Sequence, residues 1–195
     1  MKMRWCKCGI NPRNGRLCGL PYGEDEFHVE EAEVRFAGEM LDVYRPYVKD
    51  TAISFEIEPP SLDEFEWRVK AMRDAHYPWL MACVGDRIVG YAYAGPFKGQ
   101  AAYARSVEVS IYLARDVCRK GYGRRLYQAL EAALRTRGFA NAYACIAYTD
   151  RHDPYLTRAS VRFHSALGFR RVGRFTDCAE KFGRLYSMIW MEKRL

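Results

Sequence analysis

The stretch Val107-Glu-Val-Ser-Ile-Tyr-Leu-Ala-Arg-Asp-Val-Cys-Arg-Lys-Gly-Tyr-Gly-Arg-Arg-Leu-Tyr-Gln-Ala-Leu-Glu-Ala-Ala-Leu-Arg135 decides how the rest of the chain is read. Val107, Val109, Ile111 and Leu113 alternate with Glu108, Ser110 and Tyr112, the period-two pattern of a strand with two different faces. A basic turn containing Gly121 and Gly123 follows. Tyr122, Leu126, Ala129, Leu130, Ala133 and Leu134 then recur at spacings of three and four, as on a helix with one buried face. Strand, basic glycine turn and helix together aim backbone N–H groups and the positive end of a helix dipole at one point, which suits an anionic phosphate. A carboxylate, Glu108, stands on the strand that feeds the turn.

At 195 residues the chain is large enough for one domain with a proper core. Hydrophobic residues make up 49% and charged residues 28%, an ordinary globular composition. No apolar run approaches the roughly 18 residues a membrane span requires, and there is no signal-peptide core, so no membrane association is expected. The formal charge of +7 favours anionic partners. That excess is local. Arg115, Arg119, Lys120, Arg124, Arg125, Arg135 and Arg137 crowd around the glycine turn, against Asp116 and Glu131. A phosphate-bearing small molecule explains such clustering more economically than a long nucleic-acid track. Seven cysteines, an odd number with several in apolar segments, predict a reducing cytoplasm. Cys83 and Cys145 read as small core residues.

Residues 1–25 are rich in Gly, Pro, Asn and Arg, lack periodicity and read as a weakly structured extension. Cys6, Cys8 and Cys18 with His28 match no standard zinc spacing, so no metal is expected. Residues 26–195 read as a single domain. The pattern predicts a strand at 27–32 and a helix over 34–46 closing before Pro46. It continues with a short β-type segment at 51–55 and a helix behind the capping box Ser61-Leu-Asp-Glu64. Strands over 77–84 and 87–94 join through Gly85-Asp86. After the central unit come a strand at 141–148 and a helix over 157–167 ended by Gly168. A closing strand pair at 169–175 and 185–191 completes the chain. The fold class is therefore mixed α/β (α+β), a mostly antiparallel twisted sheet of about six or seven strands flanked by about four helices.

Consider a thioester cofactor bearing a pyrophosphate, with an amine as acceptor. The turn from Arg119 to Arg124 takes the pyrophosphate on backbone N–H groups, since Gly121 and Gly123 allow close approach. Glu108 removes the amine proton, help typically worth about 10²–10⁴ in rate. A strand N–H stabilises the developing oxyanion, and His164 is placed to protonate the leaving thiolate. A dinucleotide site would need a third glycine where Leu126 stands, and a P-loop would need Gly-Lys-Ser/Thr.

Cys118-Arg-Lys-Gly-Tyr-Gly-Arg124 resembles the acetyl-CoA signature of the GNAT superfamily of N-acetyltransferases, Gln/Arg-x-x-Gly-x-Gly/Ala. Within it, the chain is most similar to the phosphinothricin N-acetyltransferase group. The shared pieces include Tyr44-Arg-Pro-Tyr47, Thr51-Ala-Ile-Ser-Phe-Glu56, Gly90-Tyr-Ala-Tyr-Ala-Gly-Pro96, Val107-Glu-Val-Ser-Ile-Tyr112 and Ser160-Val-Arg-Phe-His-Ser-Ala-Leu-Gly-Phe169. The resemblance implies acetyl-CoA as co-substrate and a small amino-acid-like amine as acceptor, of the phosphinothricin or methionine sulfoximine type. It implies Ile111, Tyr112 and Leu113 along the acetyl and pantetheine arm, and Arg119, Lys120, Gly121, Tyr122, Gly123 and Arg124 at the pyrophosphate. Glu108 would be the general base and His164 the acid. Thr157 would contact the cofactor arm where the group often has Asn, and Cys118 replaces the usual first signature residue. A homodimer in the cytoplasm is also implied. A protein or peptide acceptor is the alternative within the same chemistry, and a basic nucleic-acid-binding module is the alternative outside it.

Overall fold

The computed structural model describes residues 27–195, so the expected extension with Cys6, Cys8 and Cys18 lies outside the described residues. Seven strands form one sheet: β1 (Phe27–Glu31), β2 (Trp79–Val84), β3 (Arg87–Pro96), β4 (Ser106–Leu113), β5 (Asn141–Tyr148), β6 (Arg170–Lys181) and β7 (Arg184–Arg194). They lie in the order β1-β2-β3-β4-β5-β7-β6. Every neighbouring pair is antiparallel except β4 with β5. Among the described residues, four α-helices cover the sheet: α1 (Ala37–Asp50), α2 (Leu62–Asp74), α3 (Tyr122–Thr136) and α4 (Ala159–Ala166). No helix among the described residues is long and apolar enough to cross a membrane.

Alternation along the strands divides the core in two. Val107 and Val109 of β4 face the side where α3 packs Leu126, Tyr127, Leu130 and Leu134. The opposite face receives Met40, Leu41, Tyr44 and Val48 of α1 and Phe65 and Val69 of α2, against Trp79, Met81 and Tyr91. Tyr112 of β4 packs on this second layer, as expected for a residue an odd number of positions from Val107 and Val109.

Two sequence expectations are corrected. Helix α1 runs through Pro46 to Asp50 instead of closing before the proline. An interior proline costs about 3 kcal/mol. The last turn offsets that cost because Val48 is fully buried and Tyr47 stacks edge-on against Tyr112, donating its hydroxyl to Leu113 O at 2.5 Å. Residues 51–55 form no strand. Their backbone is held by other donors: Lys181 Nζ reaches Val48 O, Ser54 O and Glu56 O at 2.8, 2.7 and 2.7 Å, and Ala52 N–H donates to Tyr155 O. The remaining elements fall within a few residues of expectation, and Ser61 caps α2 by accepting from the Glu64 N–H at 3.1 Å. The closing hairpin is longer than its apolar pattern, with irregularities in β6 between Arg171 and Gly173 and between Phe175 and Ala179.

The feature that positions the site is the parallel contact. β4 and β5 pair only from Ser106–Glu108 against Asn141–Tyr143, and beyond that they part. β4 continues on β3 as far as Gly90↔Leu113, and β5 continues on β7 as far as Tyr148↔Ser187. A split therefore opens in the middle of the sheet.

Candidate active site

The split holds a narrow cavity of about 50 Å³ lined by Ser110, Ile111 and Tyr112 from β4, Cys145 from β5, and Ser160 and His164 from α4, among others. Its β4 wall carries backbone groups that have lost a strand partner on that side, as a peptide-like ligand arm requires. Ile111 and Tyr112 line it as expected from the sequence. Leu113 does not reach it and instead lies beneath the glycine turn, 3.0 Å from where a Cβ on Gly123 would stand.

At one end of the split, α3 begins. Gly121 is its N-cap, in the left-handed region at φ 81°, and no side chain caps the helix. The first N–H groups of α3 therefore point outward with the positive dipole end behind them. Arg119, also left-handed at φ 68°, Lys120 and Arg124 surround this point and are exposed. Neither Arg119 nor Arg124 forms an ion pair among the described residues. An anion fits this arrangement, with fixed N–H groups at its centre and cations at its rim. Tyr122 and Arg125 serve the fold instead. Phe27 stacks on Tyr122 at 4.7 Å, and the Arg125 guanidinium lies 4.3 Å above the Phe27 ring, so both anchor the helix start to β1.

Glu108 sits where β4 and β5 cease to pair, opposite Gly95 on β3 and Tyr143 on β5. Burial raises its carboxyl above the usual range, and Lys98 pulls it partly back. Gly95 offers no side chain across from it, and Met72 of α2 lies 3.3 Å from where a Cβ would be. Tyr93, opposite Ser110 across the β3–β4 pair, shares the neighbourhood. A carboxylate there is close to the slot and reluctant to ionise, which is what a proton acceptor working near neutrality needs.

His164 is 4% exposed. Its Nδ1–H donates to Ser160 O at 2.9 Å, which leaves Nε2 as the lone-pair nitrogen. That Nε2 is buried and has no hydrogen-bond partner among the described residues. Burial lowers the imidazole pKa, so the ring is neutral around pH 7. Thr157 is exposed before α4, its Oγ1 accepting from the Ala159 N–H at 3.3 Å, and is not among the residues that line the slot.

Sequence reasoning missed the wall formed by the loop after α1. Arg68 bridges Glu56 at 2.7 Å and Glu64 at 2.5 Å, and the Tyr44 hydroxyl bonds Ser54 Oγ at 2.7 Å. Lys181, buried beneath that loop, carries no local signal beyond its place before Phe182-Gly183.

Residues 37–190 match the family described as acetyltransferase (GNAT) domain. A phosphinothricin N-acetyltransferase of Streptomyces coelicolor is 35% identical over 159 residues, 80% of this chain and 89% of that protein. An L-methionine sulfoximine/L-methionine sulfone acetyltransferase of Pseudomonas paraeruginosa is 27% identical over 168 residues, 86% of this chain and 94% of that protein. Among solved structures, a phosphinothricin acetyltransferase from Sinorhizobium meliloti in complex with AcCoA superposes with a TM-score of 0.79 at 29% identity, covering 87% of this chain and 88% of that one.

Proposed function

The chain belongs to the GNAT family of acetyl-CoA-dependent N-acetyltransferases, and from that premise we propose that it acetylates the amine of a small amino-acid-like acceptor of the phosphinothricin or methionine sulfoximine type. The observation that carries the reading is Glu108: a half-buried carboxylate where the sheet splits, on the strand that leads to an uncapped, basic helix N-terminus. The names of the relatives supply the acceptor class.

In this reading Arg119, Lys120, Gly121, Gly123 and Arg124 hold the pyrophosphate, while Tyr122 anchors the start of the helix to Phe27. Ile111 and Tyr112 bind the arm along the split, while Leu113 supports the glycine turn from beneath and Thr157 stands outside the slot. Bound acetyl-CoA supplies an activated acetyl group next to β4. Glu108 accepts the proton of the ammonium, freeing the nitrogen lone pair for attack. The sequence alone suggests that His164 gives a proton to the leaving thiolate. Its neutral ring, with Nδ1–H committed to Ser160 O, supports a different role, in which Nε2 is a hydrogen-bond acceptor that orients the cofactor arm and the departing thiolate takes its proton from the attacking nitrogen. Residues 26–195 work as one acetyltransferase domain after the extension 1–25, in the cytoplasm and as a homodimer.

The test is an acetyl-CoA consumption screen with the purified full-length chain over phosphinothricin, methionine sulfoximine, methionine sulfone, amino acids, polyamines and peptides. Turnover concentrated on the first three supports the acceptor class. Turnover of peptides with the free amino acids inert replaces it with a protein acceptor, and no acetyl-CoA binding by calorimetry overturns the reading.

A further inference from the structure

We propose that His28, Glu30 and Cys83 form a zinc site that clips the edge strand β1 to β2. His28 and Cys83 are direct cross-strand partners in the antiparallel β1–β2 pair, and Glu30 lies two residues beyond His28 on the same face. Residues 28 and 83 are far apart in sequence, so only the register of the sheet brings their side chains together. Glu30 Oε1 is 3.7 Å from Cys83 Sγ and 4.0 Å from His28 Nε2, and one donor atom from each of the three residues lies within 4.8 Å of the other two.

Those separations are close to what the metal demands. Tetrahedral zinc with bonds of about 2.0–2.3 Å places its donors about 3.3–3.7 Å apart, so side-chain movements of up to about an ångström close the site from separations of at most 4.8 Å. The donor set also selects the metal. One thiolate, one imidazole and one carboxylate suit borderline-soft Zn²⁺, whereas Mg²⁺ and Ca²⁺ take oxygen. Cys83 forms a buried floor, while His28 and Glu30 side chains, 38% and 31% exposed, form an accessible rim. A metal can therefore enter from solvent and keep a fourth position for water or another donor.

A further observation concerns Cys83 itself. The β2–β3 register shifts between Ala82 and Cys83, passing from Ala82↔Gly90 to Cys83↔Ile88. The extra residue, Val89, lies on β3 opposite Cys83, and bulges recur beside functional sites. The consequence is mechanical. β1 is an edge strand, and its first residue, Phe27, carries Tyr122 at the start of α3. A metal holding His28 to Cys83 secures the strand on which the phosphate turn leans.

The test uses the untagged full-length chain, equilibrated with Zn²⁺, desalted and assayed for metal content, with Co²⁺ titration to detect a thiolate-to-cobalt charge-transfer band. The expected result is about one zinc per chain and a cobalt–thiolate band, both lost in Cys83→Ser and in His28→Ala, and a rise in Tm on adding zinc that His28→Ala lacks. His28→Ala changes a partly exposed position, so it keeps the test valid should the buried Cys83→Ser fold poorly. A variant with Cys6, Cys8 and Cys18 all replaced by serine is expected to retain the metal. Absence of stoichiometric zinc in the wild type, retention in His28→Ala, or loss in the triple variant each overturns the proposal.

Discussion

Glu108 and His164 are both pushed by burial toward their neutral forms, and the consequences differ in sign. For Glu108 the carboxyl pKa is raised in the fold, so its contribution to stability is present at low pH and lost as pH rises through the folded value. At neutral pH the ionised carboxylate is a cost of function. Glu108→Gln is therefore expected to raise Tm at pH 7 while lowering kcat/KM by about 10²–10⁴, checked by thermal unfolding and steady-state kinetics on the same preparation. The acidic limb of the wild-type pH–rate profile, lying above the usual carboxylate range, should disappear in that variant. For His164 the pKa is lowered, so its contribution is present above the unfolded value, about 6.5, and is lost as pH falls through the folded one. His164→Asn keeps a donor for Ser160 O without a titrating ring. Its Tm is expected to fall less steeply than the wild type's between neutral and mildly acidic pH.

At the scale of the element, the glycine turn shows what was legible in the sequence and what was not. Its place was readable because alternation switches to helical spacing across Gly121 and Gly123. The split beside it was not, because the parting of β4 from β5 is a property of register between strands with a helix between them. The helical course of residues 47–50 and the non-strand course of 51–55 were equally hidden, since Tyr47–Leu113 and the Lys181 contacts join residues far apart in the chain. Two glycines flanking α3 allow a controlled test of the turn. Gly121 and Gly138 both have φ 81°, and a Cβ at either meets nothing within 4 Å. Replacing either by Ala should cost a similar amount of stability, about 1–2 kcal/mol for a left-handed residue. Only Gly121→Ala should also raise KM for acetyl-CoA, because only that residue opens a helix toward the phosphate. Equal KM effects from Gly138→Ala would remove the turn's special role.

At the scale of the molecule, β1 and β6 are the two edges of the sheet, and they are managed differently. β1 is short, at five residues, and Phe27 at its start is covered by Tyr122 and Arg125. β6 has twelve residues and is exposed along nearly all of them, Val172 at 46% and Phe175 at 55% included. Beside it, Phe97, Tyr143, Val172, Phe175 and Trp190 line an apolar depression, with Phe97 stacked on Tyr143 at 4.1 Å. Long edges with apolar neighbours invite pairing with another chain, and natural proteins protect them. A second copy of this chain covering the depression is the protection that fits the proposed homodimer. It would also lie close to Glu108, whose β5 partner is Tyr143, so the partner subunit would border the acceptor's approach. Sedimentation at micromolar concentration is expected to show a dimer, and Phe175→Glu, which places a charge in the apolar depression, is expected to shift it to monomer. The same variant should raise KM for the acceptor far more than KM for acetyl-CoA, because the phosphate turn at the start of α3 is built from one chain. A monomeric wild type, or a Phe175→Glu variant that remains dimeric, would place the interface elsewhere or remove it.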